Sequence, residues 1–199
     1  EQYLQRCQRE IDRIDKMLAD VLSLSSLENT LQTINTERIN LNSLLDTIVS
    51  DEQFIADEKA IKITTNYSHE VFIHGDRELL ISAISNVLSN AVKYSPANST
   101  IDVNLTKKHQ CLYLTIKDEG YGVPEQALAQ LFSPFYRVNL ARDRKTGGTG
   151  LGLAIAKQAI LAHQGEINAR NRAGNTQKGN EKNANSITGL SVTIELPCI

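Results

Sequence analysis

Leu4, Cys7, Ile11, Ile14, Leu18 and Val21 recur in alternating steps of three and four. That spacing gathers side chains onto one stripe of an α-helix and makes a heptad seam. Arg6, Arg9, Glu10, Asp12, Arg13, Asp15 and Lys16 fill the other faces. A lone helix cannot bury such a seam, so the pattern predicts a bundle helix that needs partner helices. After Leu27 the pattern breaks into ENTLQTINTER. We therefore expect two units, a bundle helix over residues 1–28 and a separate domain over 30–199.

Beyond the break the periodicity is mixed. LNSLLDTIVSDEQFIADEKA reads as a helix, and AIKITTNY and EVFIHG read as strands. DRELLISAISNVLSNAVKY is a helix that Ser95-Pro96 should end, because the residue before a proline is pushed out of the helical region. STIDVNLTKK and CLYLTIKD alternate as an antiparallel pair with KHQ at the turn. Pro124 should begin a short helix, PEQALAQLF. TGLGLAIAKQAILAH should form a longer one, capped by Gly165. EINARN and ITGLSVTIELP close the sheet. Between them, GNTQKGNEKNANS holds no large apolar residue and is expected to be a mobile hairpin loop.

Composition narrows the class. The 199 residues suffice for one good core plus an accessory element, with 41% hydrophobic and 22% charged residues. A net charge of −2 gives no pull toward nucleic acid or anionic membrane. Cys7, Cys111 and Cys198 lie far apart without a C-x-x-C, which points to reduced structural thiols in a cytosolic setting. No stretch has the length of an apolar membrane span. The first residue, Glu1, already lies inside the helical pattern, so we expect an excised piece with further segments upstream.

Chemistry concentrates in four places. RKTGGTGLGLAIAK, residues 144–157, carries Gly147, Gly148, Gly150 and Gly152. It is not a P-loop, because Leu153 rather than lysine follows the last glycine, and the polar NLARDRKT before it is no dinucleotide-fold strand. What remains is either a flexible loop before an ordinary helix or a glycine run whose free N–H groups suit phosphate. Asn86, Asn90 and Lys93 fall at i, i+4 and i+7 on one helical stripe. That stripe is either a solvated face, or amide oxygens for Mg²⁺ beside a lysine for phosphate. In KDEGYGV, residues 117–123, Asp118 could accept from an exocyclic amine while Gly120 and Gly122 admit a flat ring. A plain turn reads equally from those residues. In LFSPFYRV, Phe132 and Phe135 read best as core packing, and Arg137 is open between surface and phosphate roles.

In this order, N-x-x-x-N-x-x-K-Y, D-x-G-x-G, F-x-x-F and G-x-G-x-G resemble the N, G1, F and G2 boxes of bacterial sensor histidine kinases. LSVTIELP resembles that family's last core strand, Gly189 its third glycine box, and VLSLSSLE the end of its second dimerisation helix. The fold implied is a Bergerat fold, a two-layer α/β sandwich. Its sheet is mixed and mostly antiparallel, covered by helices on one face, and here preceded by one long bundle helix. By resemblance Asn90 should hold Mg²⁺ with Asn86 assisting, Lys93 should face the phosphates of ATP, and Tyr94 should lie against adenine or ribose. Asp118 should accept from the adenine amine in a pocket shaped by Gly120 and Gly122. Gly148, Thr149, Gly150, Leu151 and Gly152 should cradle phosphate and hinge a lid over residues 121–148, with Arg137 nearby.

The resemblance also implies partners: a response regulator, and a second copy of the chain through the bundle helices. Nucleic acid and membrane contact are not implied for these residues. The setting implied is a cytoplasmic domain of an inner-membrane protein. One departure is plain. The family's acceptor histidine sits in S-H-E-L-R-T-P-L, whereas Ser68-His69-Glu70 continues VFIHG and lies between two predicted strands. The acceptor is therefore expected upstream of residue 1.

Overall fold

The computed structural model describes residues 2–30, 34–67, 69–138, 148–173 and 187–198. The first element is a helix, α1 (Gln2–Thr30), continuous past the expected boundary at residue 28. Leu4, Ile11, Ile14, Leu18 and Val21 of its seam are exposed. A short strand, β1 (Glu37–Asn40), leads into α2 (Leu41–Asp57). Asn40 caps that helix by accepting from the Ser43 N–H. Then come β2 (Lys62–Tyr67), β3 (Phe72–Gly75) and α3 (Arg77–Tyr94). Asp76 caps α3 through the Leu79 N–H, and the helix stops at extended Ser95 before Pro96.

The hairpin β4 (Thr100–Lys108) and β5 (Cys111–Lys117) turns through His109 and Gln110, and Lys108 remains in the strand. The segment after Pro124 is helical only over one turn, α4 (Glu125–Leu128). Helix α5 (Gly152–Ala162) and strands β6 (Glu166–Ala173) and β7 (Ile187–Pro197) complete the chain. The loop GNTQKGNEKNANS lies outside the described residues.

The five-stranded sheet has the order β2-β4-β5-β7-β6. Only β2 and β4 run parallel, and the other pairs are antiparallel. Alternate residues Ile101, Val103 and Leu105 of β4, and Leu112, Leu114 and Ile116 of β5, are buried. That period of two turns one face of the sheet onto α2, α3 and α5, the expected two-layer sandwich. Strand β1, which the polar ERIN does not announce, pairs with β3 in a separate two-stranded ribbon.

One local detail differs from the sequence reading, and a second lies outside it. Gln164, not Gly165, takes the left-handed conformation beyond α5, with φ of 57°. Gly165 is needed for space, because a Cβ there would strike the Glu195 carbonyl oxygen, and its N–H closes the helix on the Ile160 carbonyl. His163 is buried and staples the same end of α5 to α3. Its Nε2 accepts from the Asp76 N–H at 2.8 Å, which leaves Nδ1 to donate to the Ala159 carbonyl at 2.7 Å.

Candidate functional site

Helices α3 and α5 pack on each other, and the site lies where the polar stripe of α3 meets the N-terminus of α5. Leu80, Ile84, Val87, Leu88 and Ala91 bury the core side of α3. That placement turns Asn86, Asn90 and Lys93 away from the core. The Asn86 amide donates to the Ser82 carbonyl at 2.9 Å. Its Oδ1 faces Gly152, where a Cβ would come within 2.5 Å of it. The first residue of α5 must therefore be glycine if Asn86 is to lie against it. Asn90 is half-buried and its side chain makes no hydrogen bond among the described residues. A Cβ on Gly148 would lie 2.6 Å from the Lys93 ammonium nitrogen, which also sits 5.2 Å from the centre of the Tyr94 ring. Lys59 Nζ donates to the Val92 and Lys93 carbonyls, both at 2.8 Å. This places a cation on the negative end of α3 and fixes the turn that carries Lys93.

The glycine run is strapped on both sides. Phe135 donates its N–H to the Gly150 carbonyl at 2.9 Å, and both residues have positive φ, 62° and 76°. Arg137 donates to the Gly148 carbonyl at 2.9 Å. Thr149 Oγ1 donates to Asp20 Oδ2 of α1 at 2.8 Å and accepts from the Leu151 N–H. Leu151 is fully buried with Ile155, and Leu24 of α1 packs on them. Among the described residues no side chain caps α5, so the backbone donors of its first turn are open to another acceptor. Phe132 packs on the core as expected, but Phe135 is exposed. Its anchoring is by backbone rather than by its ring. Residues 139–147, which include Gly147 and part of the expected lid, lie outside the described residues.

The second half of the site continues from β5. Asp118 is 7% exposed. Its Oδ1 accepts from the Gly120 N–H at 2.8 Å and from the Leu190 N–H at 3.0 Å. No described residue bonds to its Oδ2. Burial pushes the carboxyl above its ordinary value of 3.8, opposed by the Leu190 and Gly120 N–H groups and by the Arg172 guanidinium. Gly120 is packed between Asp118 Oδ1 and the Tyr94 carbonyl, each 2.9 Å from where a Cβ would stand. Gly122 turns with φ of 62°. Gly189, with φ of 140°, lies so close to the Asp118 carbonyl that any side chain would strike it. Tyr94 stays exposed beside this loop. Sequence reasoning missed Asp20, Lys59, Asn171 and Arg172, because all four act from outside the glycine and asparagine motifs. The first two hold the glycine run and the end of α3. Asn171 and Arg172 bond the backbone of residues 118–123.

A magnesium ion fits the α3 side of this arrangement. Asn90 offers a half-buried amide oxygen with no competing partner among the described residues. Mg²⁺ is typically held by one or two protein oxygens plus substrate phosphates and water. No group of three or more histidine, cysteine or carboxylate side chains forms a metal site of its own among the described residues. No helix among them is long and apolar enough to cross a membrane.

Residues 75–198 match the family described as histidine kinase-, DNA gyrase B-, and HSP90-like ATPase. Sensor histidine kinase WalK of Bacillus subtilis (strain 168) is 33% identical over 167 residues, which are 83% of this chain and 27% of WalK. A solved mycobacterial sensor histidine kinase, MprB, is 27% identical with a TM-score of 0.69, over 82% of this chain and 97% of that one. Histidine kinase ThkA, solved in complex with response regulator protein TrrA, superposes with a TM-score of 0.75 over 100% of this chain and 51% of its own. At 18% identity that last match speaks for the fold alone. This chain spans less than half the length of the curated relatives it matches.

Proposed function

The chain belongs to the histidine kinase-, DNA gyrase B-, and HSP90-like ATPase family, and from that premise we propose that it is the ATP-binding part of a protein histidine kinase. Residues 30–199 bind Mg-ATP and present its γ-phosphate to a histidine outside residues 1–199. Residues 1–28 belong to the helix bundle through which two copies pair. The observation that carries the reading is the uncapped N-terminus of α5, opened by glycines that fit against Asn86 and Lys93.

Each residue has a role by chemistry. Backbone N–H groups of Gly150 and Gly152 face phosphate oxygens, where the helix dipole favours negative charge, while Leu151, whose N–H is taken by Thr149 Oγ1, anchors the run through its buried side chain. Lys93 adds a point charge beside them, and Thr149 and Arg137 shape the strap. Asn90, assisted by Asn86, would hold Mg²⁺, which neutralises phosphate charge when bound. Asp118 accepts from the adenine amine within the pocket of Gly120 and Gly122, and Tyr94 covers the ring. Phosphoryl transfer asks of the protein mainly such positioning and charge stabilisation.

Transfer to another protein is favoured over hydrolysis. An amide is no proton acceptor, so Asn86 cannot serve as the general base that would activate water. The four histidines are also poor acceptors. His163 is buried in its staple, His74 lies in β3, His109 in the hairpin turn, and His69 between β2 and β3. A response regulator is the natural recipient of the relayed phosphate, the class of partner in the ThkA complex. On this reading the parent protein would sit at the inner membrane with this part in the cytoplasm.

The test is transfer in trans. Radiolabelled ATP with this chain alone should give no acid-labile phosphohistidine. Adding a separate acceptor-helix protein with a broken ATP site should put label on that protein. Labelling of this chain by itself, abolished by His69→Gln, would contradict the assignment.

A further inference from the structure

Strand β6 is an edge of the sheet and lies outside every motif that suggested a nucleotide site. Yet its last residues hold the whole loop that carries Asp118. Asn171 makes a pair of hydrogen bonds to one residue. Its Oδ1 accepts from the Val123 N–H at 2.9 Å, and its Nδ2 donates to the Val123 carbonyl at 2.7 Å. Arg172 Nη1 donates to the Asp118 carbonyl at 2.7 Å. The loop from 118 to 123 is thus fixed at both ends by consecutive residues of one strand.

The ladder is broken to allow this. Asn171 pairs with Leu190 and Ala173 with Ile187, so Thr188 and Gly189 of β7 together face Arg172 alone. A bulge of this kind re-aims a side chain and is over-represented beside functional sites. Gly189, within the bulge, is also the residue whose lack of a side chain admits the Asp118 carbonyl.

We propose that Asn171 and Arg172 are positioning residues for base selection, acting through Asp118. The inference rests on the ATP reading above. With Oδ1 engaged by Gly120 and Leu190, the carboxylate has only Oδ2 to offer a base, and a carboxylate can only accept. It rewards the 6-amino donor of adenine and rejects a 6-oxo acceptor at the same place. That discrimination depends on Oδ2 staying within hydrogen-bond range, which tightens or fails over a few tenths of an ångström. A loop freed at Val123 or at the Asp118 carbonyl loses the distinction before it loses the phosphate contacts.

The experiment measures the ratio of ITP to ATP dissociation constants by competition against a fluorescent ATP analogue, in magnesium. Asn171→Ala and Arg172→Met should each lower the ratio by roughly fivefold or more, the scale of one neutral hydrogen bond. Arg170→Ala, on the exposed part of the same strand, should leave it unchanged. Asn171→Asp keeps the acceptor but loses the donor, and should fall between. Should Asn171→Ala fail to fold, Arg172→Met and Asn171→Asp carry the test. Wild-type binding of ATP with an unchanged ratio in these variants would overturn the inference. Absence of ATP binding in the wild type would instead overturn the reading on which it rests.

Discussion

Substituting Asp118 in two ways should separate its two jobs. In Asp118→Asn the side-chain oxygen can still accept from Gly120 and Leu190, so both buried N–H groups keep their partner. The atom facing the base changes from acceptor to donor. Loss of a charge-assisted hydrogen bond is worth ~1.5–3 kcal/mol, or about one to two orders of magnitude in ATP affinity. In Asp118→Ala both N–H groups are orphaned at a 7% exposed site. Each unsatisfied donor costs ~1–3 kcal/mol, together ~2–6 kcal/mol. That is a large share of the ~5–15 kcal/mol that holds an ordinary domain. Calorimetric titration with Mg-ATP reads the first effect, and chemical denaturation reads the second. Asp118→Asn should bind ATP poorly while unfolding near the wild-type midpoint, and Asp118→Ala should unfold well before it. Equal ATP affinity in Asp118→Asn would refute the base contact. Equal denaturation midpoints for the two variants would refute the structural one.

The raised carboxyl of Asp118 gives opposite pH trends to folding and to binding. The folded state holds the proton more tightly than the unfolded chain, so this group's contribution to stability falls as pH rises from 3.8 through the raised value. ATP affinity should rise over the same window as the acceptor ionises, and Asp118→Asn should flatten both trends in paired denaturation and titration series. Gly152→Ala drives a Cβ to 2.5 Å from Asn86 Oδ1 and must displace that amide from Ser82. Affinity for ATP should fall while affinity for adenosine holds, and a parallel loss of both by competition binding would count against the phosphate assignment. His163→Leu leaves the Asp76 N–H without its acceptor at the start of α3. Thermal or chemical unfolding should show a loss of ~1–3 kcal/mol, and an unchanged midpoint would contradict the staple.

The layered fold was legible because its long elements carry clean periods. The alternation in STIDVNLTKK and CLYLTIKD appears in the structure as paired strands with one buried face. The apolar face of α3 is the one the spacing marks. Strand β1 was not legible, because the four residues ERIN have no alternation to read and depend on β3 for their ladder. The glycines were visible as glycines but not for their reasons. Gly152 exists for Asn86, Gly189 for the Asp118 carbonyl, and Gly165 for space rather than for a left-handed turn. Phe135 read as a core residue by its type, whereas its backbone is what holds Gly150. Asn171 and Arg172 gave no signal at all. Polar residues on an edge strand read as solvated, and only the bulge opposite Gly189 brings them to the loop.

The central claim is that the α3 stripe and the glycine run together hold the phosphates of Mg-ATP. Titration calorimetry of this chain with ATP, in magnesium and again in EDTA, tests it most directly, with Asn90→Ala as the companion. The account predicts binding heat in magnesium, weaker binding in EDTA, and an Asn90→Ala variant that no longer distinguishes the two buffers. No heat at millimolar Mg-ATP, or an Asn90→Ala variant with the full wild-type response to magnesium, would contradict it.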